Sequence, residues 1–425
     1  MLTTSKLKEL SFLIYGLGLS GQSVVKFFKK KNIKNYKVWD DKQKKLFKDK
    51  RTKNLKETLN KVDYIILSPG INLVGKKNLI KFKTKIITDI DLLYLTNKKF
   101  KSIVITGTNG KSTTCKLISH LLKRSKFKVL LGGNIGTPIL DLKITKNIYV
   151  VIEASSFQLS HSKFICPDYA ILLNIANDHL EWHGNMKNYI NSKLKIFLHQ
   201  EKNQFALINN KLTKIFRKRN FRSKLIIPKE TNYKKIKNKI KNYYLQSSIN
   251  DENMSFVFTF SKLLKINEKN FIAATNSFIG LPHRYEIFFK KENIIFINDS
   301  KATSFEAAKY ALLNSKNVYW ILGGLPKKND KIHLHKIKKN IIKCYLIGKF
   351  TKFFQKQIKN KVNFSTTRNL KKTLIKISED IKLSSAKDKT ILLSPAAASY
   401  DQFVNFEKRG NEFKKLSKLY ARRFI

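Results

Sequence analysis

The chain has 425 residues, 42% of them hydrophobic, and a formal net charge of +57. This length and apolar content support two to four domains with proper cores and exclude global disorder, and no run approaches the ~18 to 20 apolar residues of a membrane span. The basic excess is nearly all lysine, spread along the whole chain among asparagines and isoleucines, so it reads as a solvated, compositionally biased surface, and no specific nucleic-acid partner is expected.

The opening "MLTTSKLKELSFLIYGLG" runs into a strand without a small-residue cleavage site, so no signal peptide is expected. Cys115, Cys166 and Cys344 are too scattered for a disulfide framework or a zinc knuckle; reduced thiols in a cytoplasmic protein are expected. Residues 11–95 alternate "FLIYG", "YKVWD", "VDYIILS" and "KIIT" with lysine-rich amphipathic stretches, which predicts a small α/β unit with a parallel sheet. Within it, "GLGLSG" fits G-x-G-x-x-G through Gly16, Gly18 and Gly21. Asp40 closes the next strand roughly 20 residues on, where a ribose-binding acid belongs. Alone, that fingerprint suggests a dinucleotide dehydrogenase, or a glycine turn with no ligand.

A second unit begins at "KSIVITG" and continues through "KVLLGG", "YVVIEASS", "YAILLNI" and "FALINN". Its first loop, "TGTNGKST", holds Gly107, Thr108, Asn109, Gly110, Lys111, Ser112 and Thr113. The glycines let successive N–H groups face an anion, Lys111 can reach terminal phosphates, Ser112 can ligate Mg²⁺, and the helix N-terminus adds its dipole. Ile105 stands where the usual spacing has a further glycine, yet the placement between strand and helix favours a nucleotide triphosphate loop. A dehydrogenase has no use for ATP, whereas a ligase acting on a nucleotide-tagged substrate needs both cradles.

Glu153 ends a very apolar strand, where a carboxylate could hold Mg²⁺ near Ser112. His179 lies just beyond another strand and should face the same edge of a parallel sheet. The lysine–asparagine belt at 211–245 reads as a shortened or poorly structured part of the sheet. After "GLPHR" come "IIFINDS", "VYWILGG", "CYLIG" and "TILLSPA", with helices between. The expected division is therefore 1–92, 93–280 and 281–425, with no internal repeat.

The set "TGTNGKST", "GGNIG", "EASSFQL", "NDHLEWHG", "GLPHR", "NDSKATS" and "LLSPAAASYDQFVNFEKRGNEF" resembles the Mur ligase family, in family order and over nearly the whole chain. "INDSKATS" and "SPAAASYDQFVNFEKRGNEF" are most similar to its D-glutamate-adding branch. The resemblance implies an α/β fold of three domains: a Rossmann-like UDP-binding domain, a P-loop ATPase domain and a C-terminal dinucleotide-fold-like domain. It implies ATP and Mg²⁺ as cofactors, UDP-N-acetylmuramoyl-L-alanine and D-glutamate as substrates, and a monomer that makes a peptidoglycan precursor through an acyl phosphate.

By the same resemblance Ser20, Asp40 and the turn Ser68, Pro69 and Gly70 cradle the uridine diphosphate, while Asn134, Ser155, Gln158 and His179 line the sugar-peptide and metal site. Lys193 matches a lysine that is carbamylated in the family; on the residues alone it is one lysine in a lysine-saturated chain. Lys111, Glu153, His179 and Lys193 are then the catalytic set, and Ser112, Glu153, His179 and the Lys193 carbamate the metal set. Asn250, Arg284 and Asp299 match ATP contacts beside the loop, although Ile249 stands where the family has histidine. His283 precedes Arg284 in the same motif. Lys301, Thr303, Lys327 (or its neighbour Lys328), Ser399 and Phe406 match D-glutamate contacts; ammonium groups and hydroxyls suit a doubly anionic amino acid. A sister ligase or a folylpolyglutamate synthase that adds another amino acid, a nucleotide-dependent dehydrogenase and a polyanion-binding protein are the rival readings.

Overall fold

The computed structural model describes residues 4–96, 100–246, 250–327, 330–335 and 337–424. The chain divides between Phe278 and Ile279 into two compact units.

The first unit carries two sheets. β1 (Phe12–Tyr15), β2 (Tyr36–Trp39), β3 (Tyr64–Leu67) and β4 (Ile86–Ile87) form a parallel sheet in the order β2-β1-β3-β4. Their apolar side chains are buried on both faces, one face under the helix Leu19–Lys30, which contributes Val24, Val25 and Phe28. The second sheet has β5 (Phe100–Thr106), β6 (Val129–Gly133), β7 (Ile148–Glu153), β8 (Tyr169–Leu172), β9 (Phe205–Ile208) and β10 (Lys224–Ile226), in the order β10-β9-β8-β5-β7-β6. All its pairings are parallel, and helices on both faces complete two cores, as near-continuous Val/Ile/Leu strands require. The register sets Ile105 beside Glu153 and Thr106 beside Leu172, so the loops after β5, β7 and β8 open on one sheet edge. Buried Asp91 ties the two layers together: its Oδ1 accepts from Ser162 Oγ at 2.6 Å and from the N–H groups of Lys163 and Phe164. The expected division near 93 thus falls inside this unit, between its two sheets.

The belt at 211–245 is a shortened part of the sheet. It supplies the three-residue edge strand β10 and two helices, Thr213–Arg217 and Glu230–Lys237, and it buries Phe216, Tyr233, Ile236 and Ile240. A few apolar anchors at helical spacing order it while the lysines stay solvated.

The second unit is built on β11 (Glu286–Lys291), β12 (Ile294–Asn298), β13 (Val318–Gly323), β14 (Ile341–Ile347), β15 (Phe364–Arg368) and β16 (Lys389–Leu393). Their order is β11-β12-β16-β13-β14-β15, with β11 antiparallel and all other pairs parallel. The four apolar strands expected from the sequence are the four inner ones. β11 and β15 were not anticipated: they are edge strands with charged and hydroxyl side chains among their apolar ones, so they lack an inner-strand signature. No helix of the described residues is long and apolar enough to cross a membrane, and Cys115, Cys166 and Cys344 are free thiols.

Candidate active site

The first glycine loop is closed by its own backbone and by Asp40. Gly16 has φ 97°, and a Cβ there would come within 2.7 Å of Ser68 Cβ; a Cβ on Gly21 would lie 1.9 Å from the Gly16 oxygen. Only glycine fits either place. Above Gly18 and Gly70 a Cβ would meet nothing, which leaves open room over the loop. Asp40 does not point into that room with a free oxygen. Its Oδ2 accepts from Leu17 N at 2.6 Å and its Oδ1 from the N–H groups of Lys42 and Gln43. Partial burial raises its pKa, but the amides of Gln43, Leu17 and Lys42 outweigh that and hold the carboxyl below its ordinary value. Ser68 Oγ donates to the Gly16 carbonyl at 2.8 Å, and Ser20 bonds the buried carboxyl of Asp89, which burial raises to about 6. Asp40, Ser68 and Ser20 therefore shape the loop.

The second loop leads from β5 into the helix Lys111–Arg124. Gly110 caps that helix in the left-handed region at φ 82°, and a Cβ there would lie 2.1 Å from Asn253 Oδ1. Asn109 N donates to Asn174 Oδ1 at 2.9 Å, Thr108 N to the Asn174 carbonyl at 3.0 Å, and Thr108 Oγ1 shares a hydrogen bond with Tyr189 OH at 2.9 Å. Lys111 Nζ donates to the Gly107 and Thr108 carbonyls, each at 2.8 Å. Ser112 and Thr113 are buried in the first helical turn.

Lys193, 1% exposed, donates to the same Gly107 carbonyl at 2.8 Å. Burial, reinforced by the nearby Lys111 cation and only partly offset by Asp178, pushes its pKa down to about 6, so at neutral pH the amine is mostly unprotonated. Glu153, 2% exposed, accepts from Asn134 Nδ2 at 2.9 Å through Oε1, while its Oε2 is buried without a partner. The close approach of β6 makes this possible: Gly133 has φ 104°, and a Cβ there would sit 2.5 Å from the Glu153 carbonyl oxygen. Ser155 and Gln158 spend their side chains on a reciprocal capping box at the start of the helix Ser156–His161. His179 sits in the left-handed region at φ 54°, its nitrogens 3.3 Å from Asp178 and 3.7 Å from Glu181, its ring against Phe157. The structure thus brings Lys111, Glu153 and Lys193 to one edge with the loop. Among the described residues there is no cluster of three or more His, Cys, Asp or Glu side chains able to hold a metal.

Asn250 belongs to the first unit, buried with its amide donating to the Tyr244 carbonyl at 2.6 Å. The remaining expected contacts belong to the second unit. Asp299 is buried, accepting from Tyr285 N at 3.0 Å and Ser394 Oγ at 2.6 Å; burial raises its carboxyl to about 7 against those bonds and Arg284. His283 is buried, its Nδ1 2.9 Å from Asn298 Nδ2. Lys301 Nζ lies 3.8 Å over the Phe406 ring. Ser399 is buried, Thr303 half-buried, and Lys327 exposed beyond β13; Lys328 lies outside the described residues.

Sequence reasoning missed Asn174 and Tyr189, which bond the phosphate loop from distant segments, and Asn253, whose side chain lies close over Gly110. It also missed Arg409. This residue is 1% exposed, bonds Ser300 and the Ala397 carbonyl, and keeps Nη1 without a partner; burial lowers its pKa to about 10.

Residues 105–278 match the Mur ligase middle domain, and residues 11–87 the N-terminal domain of MurD-like Mur ligases. Among solved structures, UDP-N-acetylmuramate-alanine ligase MurC from Thermotoga maritima is similar at TM-score 0.56 and 16% identity, covering 96% of this chain and 99% of that one. MurF ligase from Thermotoga maritima, solved in complex with ADP, is similar at TM-score 0.54 and 16% identity over 99% and 98% of the two chains. The chain belongs to the Mur ligase family. Within the family it is similar to the UDP-N-acetylmuramoylalanine--D-glutamate ligase of Wolbachia sp. subsp. Brugia malayi, at 35% identity over 96% of each chain. The enzymes of that name from Rickettsia felis and Buchnera aphidicola subsp. Schizaphis graminum are 36% and 37% identical, over 96% of this chain and 97% of theirs. Membership removes the dehydrogenase and polyanion-binding readings.

Proposed function

We propose that this chain joins D-glutamate to UDP-N-acetylmuramoyl-L-alanine at the expense of ATP, with residues 1–92 holding the UDP-sugar, 93–280 the ATP and 281–425 the D-glutamate. One observation carries the reading. The phosphate loop, the unpartnered Glu153 oxygen and the neutral Lys193 amine meet at one sheet edge, in a chain whose full-length relatives bear that ligase name.

Amides of the loop and the helix N-terminus at Lys111 receive the ATP phosphates, and Lys111 exchanges its carbonyl contacts for the γ-phosphate. The alanine carboxylate attacks the γ-phosphorus, forming an O–P bond as the bond to the ADP oxygen breaks. The D-glutamate amine then attacks the acyl carbon, loses a proton, and the adduct expels phosphate to leave the amide. Positioning matters most, because the amine must reach the acyl carbon before water does. Carbon dioxide adds to the Lys193 amine with loss of one proton, which turns a buried base into an anion. A buried carboxylate oxygen without a partner suits a hard cation, so Glu153, Ser112, His179 and the Lys193 carbamate would hold Mg²⁺. That ion would supply neutralising charge between ATP and the substrate carboxylate. In the second unit Lys301, Thr303, Lys327, Ser399 and Phe406 bind D-glutamate, and the buried Arg409 guanidinium favours an anion there. In the first unit Asn250 would add a further ATP contact.

The test offers ATP, the UDP-sugar alanine and one amino acid at a time, with mass spectrometry of the product. D-Glutamate alone should be incorporated; product from L-alanine, L-glutamate or meso-diaminopimelate in its place overturns the reading.

A further inference from the structure

The segment after β8 is held from several directions by contacts that the proposed chemistry does not itself use. His179 adopts a left-handed backbone at φ 54°, a conformation that a side-chain-bearing residue keeps only where its surroundings fix it. The short helix Leu180–His183 follows at once, and the His183 and Trp182 N–H groups donate back to the His179 carbonyl at 3.0 and 3.1 Å. His183 is itself 7% exposed. Its ring lies against Phe157 at 5.8 Å and 16°, and edge-on to Tyr189 at 5.1 Å. Its Nε2 shares a 3.0 Å hydrogen bond with Ser156 Oγ, which is also buried.

We propose that His183 is a positioning residue: its imidazole locks the His179 segment onto the first turn of the helix Ser156–His161, and so holds the residues expected to face the UDP-sugar in register. This deepens the proposed function and rests on it.

Three links carry the inference. Ser156 directly follows Ser155, whose capping box with Gln158 fixes the helix start expected to face the sugar-peptide. Tyr189, edge-on to His183, shares a 2.9 Å hydrogen bond with Thr108 and so braces the same segment. Trp182, next in chain to His183, accepts from Asn72 Nδ2 at 3.2 Å, which ties the segment to the turn after β3. Packing alone would be served as well by phenylalanine. A buried imidazole needs a polar partner to offset its desolvation, and the one it has belongs to the acceptor-facing helix.

The test compares His183→Phe, which keeps the ring stack and loses the bond, with His183→Gln, which can return a polar atom to Ser156. Affinity for UDP-N-acetylmuramoyl-L-alanine is read by calorimetry without ATP, and KM is read for both substrates. His183→Phe should melt close to the parent, weaken acceptor binding about tenfold, as losing one buried hydrogen bond implies, and leave KM for ATP within about twofold. His183→Gln should recover most of that loss, and Ser156→Ala should add nothing in the His183→Phe background. Unchanged acceptor affinity in a folded His183→Phe overturns the inference, as does an equal loss toward ATP that His183→Gln fails to rescue. Should both His183 variants fail to fold, Ser156→Ala alone decides, with the same tenfold loss expected and parent-like affinity against it. A parent that shows no D-glutamate-dependent turnover fails the proposed function instead, and is recognised before any variant is made.

Discussion

Lys193 Nζ donates to the Gly107 carbonyl at 2.8 Å, so the helix Met186–Leu194 is bonded directly to the entrance of the phosphate loop. Lys111 shares that carbonyl acceptor at the same distance. Two lysines on one oxygen, one of them fully buried, cannot comfortably both be charged. Burial first, and the neighbouring Lys111 cation second, favour the unprotonated Lys193 amine, the form that the proposed carbamate requires.

Lys193→Arg is therefore expected to lose amide formation at least about a hundredfold, the usual cost of removing a group that stabilises transition-state charge. A guanidinium cannot become a carbamate and stays charged in a buried site. The parent's own turnover should fall in carefully degassed, bicarbonate-free buffer and return when bicarbonate is added. Steady-state rates in the two buffers check this, and a bicarbonate-independent rate contradicts it.

Glu153→Ala, Lys111→Ala and His179→Ala should each abolish amide formation while circular dichroism and melting stay native-like. Glu153→Gln is the sharper variant. It keeps an acceptor for Asn134 and removes only the charge at Oε2. A loss of about a hundredfold or more is expected from it, with Tm close to the parent; near-normal activity would remove the metal assignment.

Asp40→Ala strips three backbone amides of their acceptor at the first glycine loop. Each weakened bond is worth about 1 kcal/mol, more where the amide is left buried. KM for the UDP-sugar should rise about tenfold or more, with KM for ATP unchanged. Asp40→Asn, which keeps one acceptor oxygen, should fall between. Equal effects on both substrates would show that Asp40 does not act through the first loop.

Asp299 gives a pH dependence whose sign is fixed by its burial. Its folded value, about 7, lies above the ordinary 3.8. Between those values the folded chain keeps a proton that the unfolded chain has released. Its contribution to stability is fully present below the unfolded value and is lost as pH rises through about 7. Asp299→Asn removes this dependence, so relative to the parent the variant should gain stability from about pH 5 to about pH 7, by at most about 1.4 kcal/mol per pH unit. Urea unfolding at the two pH values measures it; parallel curves contradict it.

How far the sequence was legible follows from how local each signal is. Both glycine loops could be read because strand, turn and helix start are contiguous in "LIYGLGLSG" and "IVITGTNGKST". The inner strands of the second unit announced themselves by unbroken apolar runs. β11 and β15 did not, since edge strands need only one covered face and this chain fills the other with lysine, threonine and serine. Burial of Lys193 among 86 Lys and Arg residues has no sequence signature at all; it arises because the helix Met186–Leu194 packs on the helix Ser156–His161 and carries the side chain to Gly107. Asp40 was read as a ribose acid by its spacing; that its oxygens also bond the amides of Leu17, Lys42 and Gln43 is a tertiary feature that spacing does not reveal. Asn174, Tyr189 and Asn253 reach the phosphate loop through tertiary contacts, so only the folded chain shows them.

The central claim is that ATP cleavage here is coupled to an amine meeting an activated carboxylate, and stoichiometric phosphate release tests it most directly. With ATP, Mg²⁺ and UDP-N-acetylmuramoyl-L-alanine, purified protein should release little phosphate until D-glutamate is added, then one phosphate for each amide formed. No phosphate above background with all substrates present, or release that D-glutamate leaves unchanged, would contradict the account.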